Sequence, residues 1–207
     1  MNINETELQL KKRIIYPYRW HRKQNDQIDR LTNFIYKIEN FDQLLEHIRI
    51  EFPDNREVFD YALNRWYNYW SAMAVEYIFS MSSKVTPARN YRDRLVDFEI
   101  NEVKFDHKTS VFPEKYPHGL AYAVNDPKSL IVWLYRNQSQ EQRMHLKNRL
   151  FIVLHSKHGP HWKLKAEISW IEEVVNDYLE DFSVSRLYQL NLESQSVTLS
   201  DIIWGIK

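Results

Sequence analysis

Residues 95–108 read Leu95-Val96-Asp97-Phe98-Glu99-Ile100-Asn101-Glu102-Val103-Lys104-Phe105-Asp106-His107-Lys108. Apolar and polar residues alternate on both sides of Asn101-Glu102, which is typical of two antiparallel strands joined by a two-residue turn. In that register, residues whose numbers sum to 203 face each other, so Asp97 lies opposite Asp106. Lys108 shares the face of Asp106, because side chains alternate along a strand. Facing carboxylates repel each other, and the pattern therefore predicts a positive charge between them, typically a divalent metal ion.

The composition excludes several classes of active site. The chain of 207 residues has 3 glycines, too few for the clustered glycines of a phosphate-binding loop or a dinucleotide fingerprint. It has no cysteine, which excludes disulfides, thiolate zinc sites and cysteine nucleophiles. The 28 basic and 28 acidic residues balance. A globally basic nucleic-acid binder is therefore not supported, although one basic face is compatible with this total.

The length and hydropathy pattern bound the organisation of the chain. We expect a single domain over residues 1–207, with a helical N-terminal region over 1–55 and an α/β core over about 56–207. The N-terminal residues lack an apolar signal core, and no uncharged apolar run is long enough to span a membrane. We therefore expect a soluble cytoplasmic protein with no membrane partner.

Hydrophobic periodicity predicts the elements around the hairpin. Helices are predicted over 27–52 with a break near Phe41, over 56–81, from Asp126-Pro127 to Arg136 or as far as Lys147, and over 169–179 with Ser169 as the N-cap. Strands are predicted in the hairpin over 94–111, in the buried apolar run 150–154, and over 162–165, 187–192 and 196–199; residues 84–90 are predicted to form a loop. This order indicates an α/β fold with a central mixed β-sheet flanked by α-helices.

The helix that precedes the hairpin carries an isolated charge. Glu76 is the one charged residue between Tyr67 and Ser83, and its neighbours are apolar. Burying an unpaired carboxylate costs several kcal/mol unless it is protonated, paired or bound to a metal. Either Glu76 pairs with an arginine or a tyrosine hydroxyl, or it reaches towards Asp97 and Asp106.

Together these residues resemble the PD-(D/E)xK nuclease superfamily, the fold of many restriction and repair endonucleases. The resemblance rests on Asp97, on Asp106-His107-Lys108 in the D-x-K form on the next strand, and on Glu76 in a preceding helix. It covers residues 65–155, and Val96 stands where the family has its name-giving proline. The resemblance implies a restriction-endonuclease-like core and a metal-dependent endonuclease that hydrolyses phosphodiester bonds, in DNA rather than RNA. A homodimer is the assembly implied by analogy.

The resemblance also implies a role for each residue. Asp97, Asp106, Glu76 and the backbone carbonyl of His107 would hold Mg²⁺ or Mn²⁺, which prefer oxygen ligands. The metal would activate a water molecule and neutralise the scissile phosphate. Lys108 would orient that water or stabilise the developing charge.

Two alternatives stay open at this level. The hairpin face is also compatible with an ordinary polar surface, on which Glu99 and Lys104 form a cross-strand ion pair. The chain would then be a non-catalytic nucleic-acid-binding or protein-interaction module. The same chemistry acting on RNA is the second alternative. Further candidate contacts to a nucleic-acid backbone are Arg19, Arg22, Lys23, Thr109, Ser110 and Arg136.

Overall fold

The computed structural model describes residues 1–20, 26–88, 96–137, 148–192 and 197–207. The chain divides into two units, Met1–Val75 with Lys165–Trp170 and Glu76–Leu164 with Ile171–Lys207. The prediction of a single domain stays a prediction. No helix within the described ranges is both long and apolar enough to cross a membrane.

The described ranges form seven α-helices, three short 3-10 helices and six strands. The α-helices are α1 Ile3–Arg13, α2 Asp26–Leu31, α3 Phe41–Glu51, α4 Arg56–Met81, α5 Leu120–Asn125, α6 Pro127–Asn137 and α7 Ile168–Glu180. The 3-10 helices are Asn33–Tyr36, His161–Ala166 and Val184–Arg186. The strands are β1 Val85–Pro87, β2 Phe98–Ile100, β3 Val103–Val111, β4 Arg149–His155, β5 Tyr188–Leu190 and β6 Thr198–Ile206.

The first unit is helical and has an aromatic core. Trp66 is fully buried and donates from Nε1 to the carbonyl of Ile38 at 2.7 Å. Arg13 at the end of α1 is also fully buried, and its guanidinium donates to Asn64 Oδ1 at 2.6 Å. Hydrogen bonds of this kind offset part of the free-energy cost of burying a guanidinium. This bond therefore ties α1 to the middle of α4.

The second unit is built on a mixed sheet with the strand order β1-β2-β3-β4-β6-β5. The strands β1, β2 and β3 pair antiparallel, β3, β4 and β6 pair parallel, and β5 pairs antiparallel with β6. The interior of β4, Leu150–Leu154, is fully buried because parallel neighbours flank it and both of its faces are covered. The predicted mixed α/β fold, a sheet flanked by helices, is confirmed.

The two faces of this sheet carry different layers. On one face, α6 packs Leu130, Leu134 and Tyr135 against Phe151 and Val153 of β4. On the other face, Phe79 in the last turns of α4 stacks on Phe98 at a centroid distance of 4.3 Å. Side chains of successive residues in β3 therefore enter two different environments.

Several predicted elements are confirmed and others are wrong. Helix α4 has the predicted bounds, and α6 and β4 lie where the sequence places them. The predicted loop over 84–90 contains β1, and the predicted strand over 162–165 is a 3-10 helix. The predicted extension of α6 to Lys147 lies outside the described residues.

Candidate active site

The hairpin at the centre of the resemblance forms with the predicted register. Its paired residues are Phe98 with Phe105, Glu99 with Lys104, and Ile100 with Val103. The turn residues Asn101 and Glu102 have φ of 47° and 65°, the left-handed conformation of a two-residue type I′ turn. Asparagine adopts this conformation readily, whereas glutamate does so at a cost.

The register changes where the sequence placed the facing aspartates. The N–H of Asp97 donates to the carbonyl of Phe105 at 2.8 Å, although Phe105 is already paired with Phe98. The ladder is therefore out of step by one residue at this point, as in a β-bulge. Asp97 and Asp106 are not partners in this register, so the expected Asp97–Asp106 pair does not form.

Asp97 instead faces His107. Its Oδ2 accepts two hydrogen bonds from this one residue, from the backbone N–H at 2.7 Å and from the ring Nδ1 at 2.8 Å. Burial by itself raises the pKa of Asp97, but the hydrogen bonds and charge of His107, together with the charge of Lys108, hold the pKa below its usual value. Asp97 is thus held as a carboxylate that accepts both hydrogen bonds from His107.

Asp106 is held by two cations. Its Oδ1 accepts from Lys108 Nζ at 2.7 Å, and its Oδ2 accepts from Arg149 Nε at 2.9 Å. The first contact confirms that Asp106 and Lys108 share a face of β3. Arg149 is the residue that pairs with Asp106 across the parallel strands, and its guanidinium lies 5.2 Å from the ring centroid of Tyr135. Asp106 therefore belongs to the face that α6 covers.

Glu76 lies in the last part of α4, half-buried. Within the described part of the chain its carboxylate forms no hydrogen bond or ion pair. Burial raises the pKa of Glu76, the negative charge of Asp97 raises it further, and His107 and Lys108 oppose this effect. Glu76 therefore lies within electrostatic range of Asp97, but its predicted reach towards Asp97 and Asp106 stays a prediction. Neither of the pairings with arginine or tyrosine occurs among the described residues.

The four predicted catalytic residues thus form two groups. Asp97 is bonded to the His107 ring, and Glu76 lies within electrostatic range of both, whereas Asp106 and Lys108 extend from the other face of β3, where Arg149 holds Asp106. The exposed Lys108 ammonium nevertheless acts electrostatically on both Glu76 and Asp97. No cluster of three or more His, Asp or Glu side chains with the spacing of metal ligands occurs in the ranges that the structure describes.

The first group includes oxygen donors of the kind that hard cations bind. Glu76 offers a carboxylate with no partner in the described chain, and Asp97 offers a second. The His107 carbonyl points to the same edge of β3 as the His107 N–H that Asp97 accepts, because both groups of an extended residue face one neighbour. Oxygen donors of this kind suit Mg²⁺ or Mn²⁺. Asp106 does not join them while Lys108 and Arg149 occupy both of its oxygens.

The candidate contacts to nucleic acid are spread over the chain. Thr109 and Ser110 lie on β3, and the buried Thr109 hydroxyl has no hydrogen-bond partner in the described ranges. Arg136 is exposed at the end of α6, and Arg19 accepts at its carbonyl from Asn64. Arg22 and Lys23 lie outside the described residues.

Sequence reasoning missed two members of the site. The side chain of His107 was assigned no role, although its two-residue spacing from Phe105 already placed it on the inner face of β3. Arg149 directly precedes the apolar run 150–154, and nothing near it in the sequence indicates a role in the site. Its ion pair with Asp106 depends on the parallel register of β3 and β4. That register joins segments 43 residues apart, and no local pattern encodes it.

No protein-family model, curated protein or solved structure matches this chain.

Proposed function

We propose that the chain is a metal-dependent endonuclease with a restriction-endonuclease-like core, which hydrolyses phosphodiester bonds and prefers DNA to RNA. The observation that carries the proposal is the half-buried carboxylate of Glu76, which has no partner among the described residues and lies beside the charge of Asp97. Two carboxylates in such a place raise the free energy of the fold unless a proton or a cation lies with them.

The order of the elements supports the same proposal. Glu76 lies in α4, Asp97 lies immediately before β2, and the D-x-K residues Asp106 and Lys108 lie on β3. The resemblance places its residues on a helix and two consecutive strands in this sequence. A mixed sheet flanked by helices is the architecture that it implies.

The roles of the residues follow from their contacts. Glu76, Asp97 and the His107 carbonyl would hold Mg²⁺ or Mn²⁺, which when bound supplies an activated water and neutralises the scissile phosphate. The two hydrogen bonds from His107 orient the Asp97 carboxylate and keep it ionised. Lys108, whose side chain is 49% exposed, presents its ammonium to a phosphate oxygen where charge develops.

Asp106 has a dual role in this proposal. In the described arrangement it positions the Lys108 ammonium through the 2.7 Å hydrogen bond. It would become a ligand of that metal, as the resemblance implies, only if its side chain left Lys108 or Arg149 and turned towards Asp97. We therefore propose that the main role of Asp106 is to position the Lys108 ammonium.

A second candidate function is favoured by the same contacts. The oxygens of Asp106 are both neutralised by cations of this chain, and Asp97 is paired with His107. A polar cluster satisfied in this way is compatible with a nucleic-acid-binding or protein-interaction module that performs no hydrolysis. Cleavage and metal binding separate the two candidates.

The test is a cleavage panel with matched variants. Supercoiled plasmid, linear duplex, single-stranded DNA and RNA are incubated with Mg²⁺ or Mn²⁺, with EDTA as the metal-free control. We expect metal-dependent cutting that is strongest on DNA and is lost in Lys108→Ala and Asp97→Asn. The controls Lys104→Ala and Glu99→Gln change the same charges on the same hairpin and should cut normally. Cleavage of RNA alone would establish the RNA-directed alternative, and no cleavage of any substrate would overturn the proposal.

A further inference from the structure

A groove beside α6 in the second unit combines aromatic and cationic side chains. Its lining includes Tyr116, His118, Lys128, Ser129, Trp133 and Arg136. The proposed hydrolysis uses none of these residues except Arg136, for which the sequence suggested a phosphate contact. Aromatic faces with flanking cations are the chemistry by which proteins hold single-stranded nucleic acid.

The aromatic wall of the groove is fixed in place. Tyr116 is buried and packs edge-on against Trp133 at 5.9 Å and against His118 at 5.4 Å. Its hydroxyl is hydrogen-bonded to Ser129 Oγ at 2.9 Å. Trp133 is half-buried and His118 is exposed and stacks on Tyr122 at 4.3 Å. Because Tyr116 holds Trp133 and His118 in place, a ligand that stacks on these rings loses little side-chain entropy on binding.

The cations lie along one side of the same helix. Lys128 and Arg136 are eight residues apart on α6, which at 1.5 Å per residue separates their backbones by about 12 Å. Both are exposed, and in the described ranges neither forms an ion pair. The acidic residue of the lining, Asp126, is engaged at the start of α6, where it accepts from the N–H of Ser129 at 3.3 Å. The groove thus carries an excess of positive charge.

Helix α6, which carries part of the groove, also contacts the arginine that holds the D-x-K aspartate. Tyr135, the residue before Arg136, lies 5.2 Å beneath the Arg149 guanidinium, which holds Asp106. The C-terminal end of the groove and the Asp106 cluster therefore belong to the same face of the sheet.

We propose that this groove binds a segment of single-stranded nucleic acid, with a base against the Trp133 wall and backbone phosphates at Lys128 and Arg136. A duplex keeps its bases stacked on each other and cannot offer one to the wall. As a substrate subsite the groove rests on the proposed nuclease function, but the binding itself needs no metal.

The experiment measures the binding of a fluorescein-labelled 12-nucleotide DNA strand by anisotropy in EDTA, over a series of salt concentrations. Trp133→Leu keeps an apolar side chain and should weaken binding by about five-fold or more, with an unchanged salt dependence. Lys128→Gln and Arg136→Gln should each reduce the slope of log K against log salt by about 0.7. Lys157→Gln, an exposed lysine of the same unit that does not line the groove, should change neither quantity.

The outcomes separate this inference from the proposed function. Tight binding that Lys128→Gln and Trp133→Leu weaken supports the groove, even if the protein cuts nothing. The absence of binding to the strand, equal effects of Lys157→Gln and Lys128→Gln, or a labelled duplex bound more tightly than the strand would overturn it, even if the protein cuts DNA.

Discussion

Asp106 and Arg149 are hydrogen-bonded at 2.9 Å across two neighbouring parallel strands, and both side chains are largely shielded from water, with exposures of 7% and 13%. The other oxygen of Asp106 accepts a hydrogen bond from Lys108, whose side chain is far more exposed than that of Arg149. The D-x-K motif therefore has an inner cation and an outer cation. The inner cation is shielded from water, and the outer cation is open to solvent.

The two cations should differ in their contribution to stability. Arg149→Met leaves Asp106 with a single exposed partner, and breaking a buried pair typically costs about 3 kcal/mol. Lys108→Met removes a half-exposed contact and should cost less than about 1 kcal/mol. The free energies of unfolding in urea measure both. Equal losses in the two variants would contradict the inner and outer assignment.

The hairpin turn should be improved by glycine. Glu102 has a φ of 65°, and a non-glycine residue pays about 1 kcal/mol for the left-handed conformation. Glu102→Gly should therefore raise the free energy of unfolding by about that amount, partly offset by the greater freedom of glycine in the unfolded chain. Glu102→Ala removes the same charge without relieving the backbone. A gain of the same size in this control would assign the effect to charge instead.

Lys165 gives the first unit a distinctive dependence on pH. Its Nζ donates to Asn68 Oδ1 at 2.8 Å, and burial lowers its pKa to about 8 from an ordinary value of 10.5. Between these values the unfolded chain binds more protons than the folded one, so this lysine makes stability rise with pH there. Below pH 8 both states are protonated and the cost of burying the charge is complete.

Lys165→Met should accordingly stabilise the protein at pH 7, and its advantage over the wild type should shrink as the pH rises from 8 towards 10.5. Urea unfolding of both proteins across this range gives the difference, in which the other titrating groups cancel. The exposed Lys37→Met is the control. A difference that stays constant with pH would show that Lys165 is not desolvated.

The sequence predicts local features of the site well. The bounds of α4, the two-residue turn and the shared face of Asp106 and Lys108 all follow from periodicity and turn chemistry. Each of these depends on residues close together in the chain. One wrong prediction also has a local cause. Pro87 favours the predicted loop over 84–90, but β1 is an edge strand, and edge strands tolerate proline.

The arrangement around Asp97 could not be predicted in the same way. If the alternation of the hairpin is extended by one residue, Asp97 lies opposite Asp106. In the structure the strand register shifts by one residue at Asp97, and its carboxylate accepts hydrogen bonds from His107. A neighbour outside the hairpin also contacts this point, because the N–H of Ala88, the residue after β1, donates to the carbonyl of Asp97 at 3.1 Å. Periodicity within a hairpin carries no information about that neighbour.

The central claim is that Glu76 and Asp97 hold a divalent cation, and a Mn²⁺ titration followed by thermal unfolding tests it most directly. A ligand at 100 times its Kd stabilises a fold by about 2.7 kcal/mol. We predict that Mn²⁺ raises the Tm of the wild type and of Glu99→Gln, but not that of Glu76→Gln. Without metal, Glu76→Gln should be the more stable protein, because it no longer buries a carboxyl group beside the charge of Asp97. A Tm that Mn²⁺ leaves unchanged in the wild type, or raises equally in Glu76→Gln, would contradict the account.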